Sequence, residues 1–213
     1  MTNLIEYREG SNLLLNDEFE DDLVQGDGKA YGIELLLKKD QGKLRGWIGY
    51  TLSKSERSFD DLNRGKTFPA RYDRRPDLSI VTSYDLSKRI TIGAVWVYSS
   101  GSQFTPQIGQ YFVPNQSLTG VDRIPIYSDR NAVSLSASHR LDLNFTIRPK
   151  KERRWYGEWQ IGCYNLYNRA TPFRVDIEVR EEQSATGTQI SQGYEQPGLF
   201  GFIPYFTYNF KFK

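Results

Sequence analysis

The fold is decided by the stretch Leu141-Asp142-Leu143-Asn144-Phe145-Thr146-Ile147-Arg148, in which every second residue is apolar. Successive side chains of a β-strand point to opposite faces, so this alternation predicts a strand with one apolar and one polar face. An amphipathic helix would instead space its apolar residues three or four positions apart. The stretch therefore predicts a strand of which only one face lies in an apolar environment.

The same period of two recurs along the rest of the chain, at about residues 31–37, 44–53, 77–86, 90–98 and 200–212. With its ends, each segment reaches about 10–14 residues, which is long for a soluble strand and fits a tilted membrane strand of about 9–11 residues. Short connectors at 39–42, 86–89 and 149–154 alternate with long ones at 9–28, 58–76, 101–138 and 169–198. Short turns on one side and long loops on the other are typical of outer-membrane barrels.

We therefore predict an all-β fold, an antiparallel transmembrane β-barrel segment of about eight strands with long extracellular loops. The first strand, Thr2–Arg8, is short and lacks an apolar face. No basic start and apolar core of a signal peptide follows Met1. We accordingly expect the segment to begin in the middle of a larger barrel. The polar stretch Glu181–Gln196 is predicted to be a mobile loop.

Composition excludes several classes of function. One cysteine, Cys163, and one histidine, His139, exclude an internal disulfide and a cysteine–histidine metal cluster. A net charge of +2 is too small to indicate a nucleic-acid partner. The mean hydropathy of -0.61 is that of a soluble protein, but in a barrel only alternate residues face lipid and the average hides them.

Aromatic and basic side chains lie near the predicted short turns. The aromatic residues are Trp47, Trp155, Tyr156 and Trp159. The basic residues include Lys38, Lys39, Lys43, Arg45, Lys88, Arg89, Lys150 and Lys151. Rings and long cations are enriched at the level of lipid headgroups, so we expect these residues at a membrane boundary.

Four stretches carry a family resemblance. They are Gly28-Lys-Ala-Tyr-Gly-Ile-Glu-Leu35 with its partner Gly46-Trp-Ile-Gly-Tyr-Thr-Leu-Ser-Lys-Ser55, Phe68-Pro-Ala-Arg-Tyr-Asp-Arg-Arg-Pro-Asp-Leu-Ser79, Asn165-Leu-Tyr-Asn-Arg-Ala-Thr-Pro-Phe173 and Tyr205-Phe-Thr-Tyr-Asn-Phe-Lys-Phe212. Together they resemble the C-terminal β-barrel portion of TonB-dependent outer-membrane receptors, especially those of Bacteroidetes. The resemblance covers nearly the whole chain, and its second and third stretches are the most specific.

This resemblance implies a barrel of about 22 strands with a plugged lumen, located in the bacterial outer membrane. Residues 1–213 would form the C-terminal part of the barrel, and the plug domain is not present in this chain. The implied function is energised uptake of a nutrient such as a siderophore, glycan or peptide, with no catalytic residue, metal or cofactor. Implied partners are outer-membrane lipid, the plug and N-terminal strands of the same receptor, and the TonB complex through that missing part. A surface lipoprotein remains an open further partner.

Two alternatives stay open on the sequence alone. One is a complete, small eight-stranded outer-membrane barrel, which could be an enzyme, although no catalytic set is evident. The other is a soluble all-β module that binds carbohydrate, which would bury its apolar face between two sheets.

Candidate ligand-binding residues lie in the long loops. Cations and a tyrosine crowd the second loop, namely Arg64, Lys66, Arg71, Tyr72, Arg74 and Arg75. Guanidinium groups bind carboxylates and phosphates, but pairing with Asp60, Asp61, Asp73 and Asp77 to fix the loop is the favoured interpretation. Aromatic candidates for stacking on a ligand are Tyr111, Phe112, Tyr127 and Tyr194.

Acidic and polar residues have simpler interpretations. The acidic residues Asp17, Glu18, Glu20, Asp21 and Asp22 lack the spacing of a calcium loop and are interpreted as a solvated loop. Residues expected to line the lumen are Glu34, Asp85, Asp142, Glu158 and Gln160. We expect Cys163 to be a small apolar residue on the lipid face.

Overall fold

The computed structural model shows an all-β chain in which every strand pair with a described register is antiparallel. The structure describes residues 1–8, 19–114, 121–150, 155–172, 176–184, 187–195 and 197–212. Among these residues, no helix has the length and apolar character needed to cross a bilayer.

Seventeen strands and two short 3-10 helices are formed by the described residues. The strands are β1 (Leu4–Tyr7), β2 (Leu23–Lys39), β3 (Leu44–Ser58), β4 (Phe68–Pro69), β5 (Asp77–Asp85), β6 (Ile90–Ser99), β7 (Gln103–Phe104), β8 (Gln107–Pro114), β9 (Val121–Tyr127), β10 (Val133–Ser134), β11 (Ser138–Ile147), β12 (Trp155–Tyr164), β13 (Thr171–Pro172), β14 (Asp176–Ser184), β15 (Gly187–Glu195), β16 (Gly198–Leu199) and β17 (Ile203–Phe212). The 3-10 helices are Phe19–Asp22 and Asn63–Gly65.

One sheet contains the long strands in the order β1-β2-β3-β5-β6-β11-β12-β17, with β4 paired to β3. These eight strands are the predicted ones, and consecutive long strands pair as predicted. Within the described residues, hydrogen bonding does not join β17 to β1, so the sheet is not closed on itself. The fold class is therefore antiparallel all-β.

The predicted long loops are wrong in part, because they contain further strand pairs. β2 already begins at Leu23, inside the first predicted loop. The third loop holds the pairs β7–β10 and β8–β9, and the fourth holds β13–β16 and β14–β15. The β14–β15 pair replaces the predicted loop Glu181–Gln196 over most of its length. Backbone hydrogen bonds form these pairs, and an apolar pattern is not needed for them.

The chain divides into two compact units. Unit 1 comprises Met1–Ile33, Leu52–Arg75 and Gly101–Leu135. Unit 2 comprises Glu34–Thr51, Pro76–Ser100 and Ser136–Lys213. Because β2 and β3 are long, each contributes residues to both units.

The register of unit 2 sorts the side chains into rows across the sheet, because directly paired residues share a face. One row, the apolar row, consists of Leu44, Tyr84, Ile92, Phe145, Ile161 and Phe206. The adjacent row on the opposite face, the polar row, consists of Asp85, Thr91, Thr146, Gln160 and Thr207. This confirms the alternation predicted from the sequence.

The register also gives the face of two rings that lie near short turns. Trp47 pairs with Val81, which pairs with Val95, and this row lies on the same face as the polar row. Tyr156 pairs with Lys211, also on that face. The parity of each position determines this face, and the expected location of these rings at a membrane boundary stays a prediction. One detail of the predicted aromatic strand is wrong. Phe200 and Phe202 precede β17, so they do not extend its apolar face.

Two glycines of β12 lie beneath tyrosine rings of β17. A Cβ atom on Gly162 would lie 2.5 Å from Cζ of Tyr205, and one on Gly157 would lie 2.1 Å from the hydroxyl oxygen of Tyr208. A tyrosine ring that covers a glycine on a neighbouring strand replaces the packing that the glycine lacks. These two glycines therefore make room for aromatic residues on opposite faces of the sheet.

Unit 1 has a small apolar core of its own. Val24 of β2 packs with Phe59, Leu62 and Phe68, and Leu4 of β1 lies against them. Phe59 and Phe68 are stacked with ring centroids 6.1 Å apart. The segment that follows β3 is thus anchored by buried side chains, although the sequence predicted only a loop there.

Candidate functional site

The turn after β4 in unit 1 is held by the buried carboxylate of Asp73. Its backbone N–H donates to the carbonyl of Ala70 at 2.9 Å, which closes the turn. Oδ1 accepts a hydrogen bond from the backbone N–H of Ser55 at 2.8 Å, and Oδ2 pairs with the guanidinium of Arg75. Asp73 is 3% exposed, so its charge is compensated inside the protein. The predicted pairing of Arg75 with Asp73 is confirmed.

Three other candidates in the same turn point outward. Arg71, Tyr72 and Arg74 are exposed, and Tyr72 keeps 73% of its surface. The guanidinium of Arg71 lies 5.7 Å from the ring centroid of Tyr72, within the range of a cation–π contact. We call Arg71, Tyr72 and Arg74 the basic turn. Its members present two cations and one ring to solvent.

Arg64 does not belong to the basic turn, because it forms an ion pair of its own. Its guanidinium lies 2.6 Å from the carboxylate of Asp129 in the third predicted loop. The described ion pairs do not link Arg64 to the predicted partners Asp60 and Asp61. The partner is 65 residues away in the sequence, so no local pattern could identify it.

A second charged group in unit 1 was not predicted. Glu6 of β1 accepts from Arg57 of β3 at 2.7 Å and pairs with Arg130 at 3.0 Å. Arg130 also lies 5.7 Å from the ring centroid of Phe68 in the core. Next to it, Asn131 donates to the carbonyl of Pro69 at 2.9 Å. These contacts join the two long connectors, so the group is structural.

The aromatic candidates for ligand binding lie in two strand pairs outside the basic turn. Tyr111 pairs with Ile124 in the β8–β9 hairpin, and Tyr127 pairs with Gln107; both tyrosines are about half exposed. In the part of the chain that the structure describes, no hydrogen bond or ring contact joins either tyrosine to the basic turn. The backbone of Tyr194 pairs with Ile177 in β15, but its side chain lies outside the description.

The structure describes only some of the acidic residues of the first predicted loop. Glu20, Asp21 and Asp22 lie in the first 3-10 helix, and Asp17 and Glu18 lie outside the described residues. No group of three or more histidine, cysteine or acidic side chains in the described ranges is arranged to hold a metal ion.

The motif that begins at Asn165 joins the end of β12 by hydrogen bonds to the segments that follow it. Asn165 is 1% exposed and has a φ of 55°. Its Nδ2 donates to the carbonyls of Arg169 at 2.8 Å and Phe200 at 2.9 Å, and its Oδ1 accepts from the N–H of Arg169 at 3.0 Å. Asn168 accepts from the N–H of Phe202 at 2.8 Å. The motif therefore positions the chain on both sides of its turn.

The face of unit 2 that contains the polar row carries a chain of charged contacts. Nε of Arg140 donates to the carboxylate of Asp142 at 3.0 Å, and its Nη1 donates to the hydroxyl of Tyr164 at 2.6 Å. Asp142 also accepts from the backbone N–H of Asn165 at 2.8 Å. Glu158 accepts from Gln160 at 3.1 Å.

Four of the five residues predicted to line the lumen share this face. They are Asp85, Asp142, Glu158 and Gln160. Cys163 is buried, and it pairs with Leu143 and Pro204 on the face of the apolar row, as expected for a small apolar residue.

Comparisons with protein-family models, curated proteins and solved structures found no match.

Proposed function

We propose that this chain is part of the wall of an outer-membrane transporter of the TonB-dependent type, with its apolar row facing lipid. The observation that carries the proposal is the exposure of that row. Five of its six side chains, on five different strands, are at least 41% exposed, and Phe206 reaches 65%. Burying such a side chain is worth roughly 1.5–3 kcal/mol, so leaving five of them about half exposed to water forgoes roughly 5 kcal/mol.

The opposite face supports the same proposal. There, charged side chains are joined by hydrogen bonds and ion pairs, as in Arg140 with Asp142 and Arg148 with Glu158. A soluble sheet has the reverse preference, with its apolar face covered and its polar face in water. A sheet with an uncovered apolar face fits an apolar solvent on that side and an aqueous lumen on the other.

Strand length fits this arrangement. β6, β11, β12 and β17 have 10 residues each. A tilted strand of about 9–11 residues crosses the hydrocarbon layer of a bilayer. The assignment to TonB-dependent receptors is supported by the resemblance of the motifs Phe68–Ser79 and Asn165–Phe173.

The basic turn is proposed as the contact for an anionic or aromatic ligand at the outer mouth. Arg71 and Arg74 have no described carboxylate partner, whereas Arg64 and Arg75 are each paired with one. The four candidates therefore separate into two structural cations and two cations that a ligand could use. Because the loop around them is anchored by Asp73, the basic turn is held in place before a ligand arrives.

The membrane assignment is tested with single-tryptophan variants reconstituted into vesicles whose acyl chains carry bromine, a quencher of tryptophan fluorescence. In one variant only Trp159 remains and in the matched control only Trp47 remains, with phenylalanine at the other positions. Both are about 40% exposed, but they lie on opposite faces. We expect quenching of Trp159 and little quenching of Trp47. Equal quenching of both, or a folded monomer in buffer without detergent, would contradict the proposal.

The transport assignment requires the receptor in its native membrane. We expect uptake of its nutrient to stop when the proton gradient is collapsed, because this type of transport is energised from the inner membrane. Replacing Arg71 and Arg74 with glutamine should lower ligand binding without reducing the amount of receptor in the membrane. Uptake that continues without the gradient would identify a passive channel instead.

A further inference from the structure

A half-open depression lies in unit 2 where β3 begins, where β5 turns into β6 and where β11 ends. Its volume is about 590 Å³, within the range of small-molecule sites. The lining residues are Lys43, Arg45, Asp85, Leu86, Ser87, Lys88 and Arg148. The depression therefore contains four cationic side chains and a single carboxylate.

The carboxylate of Asp85 already accepts hydrogen bonds from two side chains of the protein. Oδ2 of Asp85 accepts from Nη2 of Arg45 at 2.6 Å, and Oδ1 accepts from the hydroxyl of Thr91 at 2.8 Å. The same hydroxyl oxygen accepts from Nη1 of Arg148 at 2.7 Å. Asp85 and Thr91 thus position both guanidinium groups. A second carboxylate, that of Glu158, lies 3.8 Å from Arg148, too far for a hydrogen bond.

Lys43 and Lys88 add two ammonium groups on adjacent turns. In the described part of the chain, neither side chain has an ion pair or a hydrogen bond. Like charges in one depression repel each other, and an anion between them removes that repulsion. Guanidinium groups held in place, together with exposed ammonium groups, are the side chains that proteins use for phosphate.

The position of Arg45 favours a soluble anion over a lipid headgroup. Arg45 pairs with Ser83, on the face opposite to the apolar row, whereas its neighbour Leu44 belongs to that row. Arg148 reaches Thr91, which belongs to the polar row. The cations therefore converge away from the apolar face. The expected position of Arg45 at a membrane boundary stays a prediction, because the register gives its face alone.

We propose that this depression binds a soluble oxyanion of the phosphate class that carries two or more negative charges. Arg45 and Arg148 supply the fixed donors, and Lys43 and Lys88 close over the anion. This site is formed within unit 2 alone, so the anion site itself does not depend on the transporter proposal. Only the choice of a soluble anion over a lipid headgroup rests on the proposed function, through the lipid contact of the apolar row.

The test is a calorimetric titration of the full chain, folded in a zwitterionic detergent, with inorganic pyrophosphate at low salt. We expect saturable binding with one site per chain. Replacing both Lys43 and Lys88 with glutamine should weaken binding by about tenfold, as expected for the loss of charged hydrogen bonds. The matched control replaces Lys38 and Lys39 with glutamine, because these lysines at the end of β2 carry the same charge but do not line the depression. The control should bind as the natural chain does.

The role of charge is tested separately, with Lys43→Arg and Lys88→Arg combined in one variant, and tryptophan fluorescence confirms that each variant is folded. This variant keeps the charge and should keep the binding. Absence of saturable binding by the natural chain overturns the proposal. Equal weakening in the two glutamine variants also overturns it, because that result indicates diffuse attraction rather than a site. Binding to anionic vesicles but not to pyrophosphate would reassign the depression to a lipid headgroup.

Discussion

Replacement of Asn165 tests the reasoning about the turn that follows β12. Three side-chain hydrogen bonds join Asn165 to Arg169 and Phe200, and each contributes about 1 kcal/mol to stability. Its φ of 55° is tolerated by asparagine and glycine, and it costs alanine about 1 kcal/mol. We therefore expect Asn165→Ala to lower the free energy of unfolding by about 4 kcal/mol and Asn165→Gly by about 3 kcal/mol.

Two further variants separate the causes. Asn165→Asp keeps an acceptor for the N–H of Arg169 but turns a carboxylate towards the carbonyl oxygens of Arg169 and Phe200 at a position that is 1% exposed. At neutral pH it should therefore lose more than Asn165→Gly, over about 3 kcal/mol. Asn168→Gly is the matched control, because Asn168 has a similar φ of 53° and its side chain accepts a hydrogen bond from the N–H of Phe202. It should lose about 1 kcal/mol.

The assay is a urea titration of the chain in detergent, followed by tryptophan fluorescence. The order of the four variants by their loss in the free energy of unfolding matters more than any single loss. Equal losses for Asn165→Ala and Asn165→Gly would refute the argument from φ. A loss below about 1 kcal/mol in Asn165→Gly would refute the argument from hydrogen bonds.

Three more predictions follow from other sites. Asp73→Asn removes the charge that holds the buried side of the basic turn, and trypsin should then cut at the neighbouring arginines about tenfold faster. Gly101→Ala should destabilise the chain by about 2 kcal/mol, measured by urea titration, since its Cβ would lie 1.8 Å from the carbonyl oxygen of Leu135. Cys163 is buried in the row of Leu143, so a charged maleimide should label it only after unfolding; rapid labelling of the folded chain would contradict its placement.

The long strands could be predicted from the sequence because a period of two is a local property. The stretch Leu141–Arg148 alternates without a break, and its register with β6 and β12 follows that alternation. The same principle assigns the face of Trp47, because its position between Gly46 and Ile48 places it opposite to the apolar row.

The contacts of the long connectors could be predicted only between residues that are close together in the sequence. Asp73 and Arg75 are two residues apart, so their pairing was expected and is observed. Arg64 and Asp129 pair across 65 residues, and Glu6 and Arg130 are even further apart. Nothing in the local pattern distinguishes these partners from other charged residues. The same limit applies to the β14–β15 hairpin, which backbone hydrogen bonds form from a polar stretch.

The tyrosines that cover Gly157 and Gly162 constrain how the sequence can change over time. A side chain added at Gly162 would occupy the space of the Tyr205 ring, and one added at Gly157 would displace the Tyr208 hydroxyl. Gly157 can therefore accept a larger residue only after Tyr208 has become smaller, so the cost of one substitution depends on the other. At Gly162 an added Cβ would also lie 2.4 Å from the carbonyl oxygen of Leu143, and a smaller residue at 205 would not remove that contact. Positions 157 and 208 should consequently change in step, whereas position 162 should stay glycine whatever stands at 205.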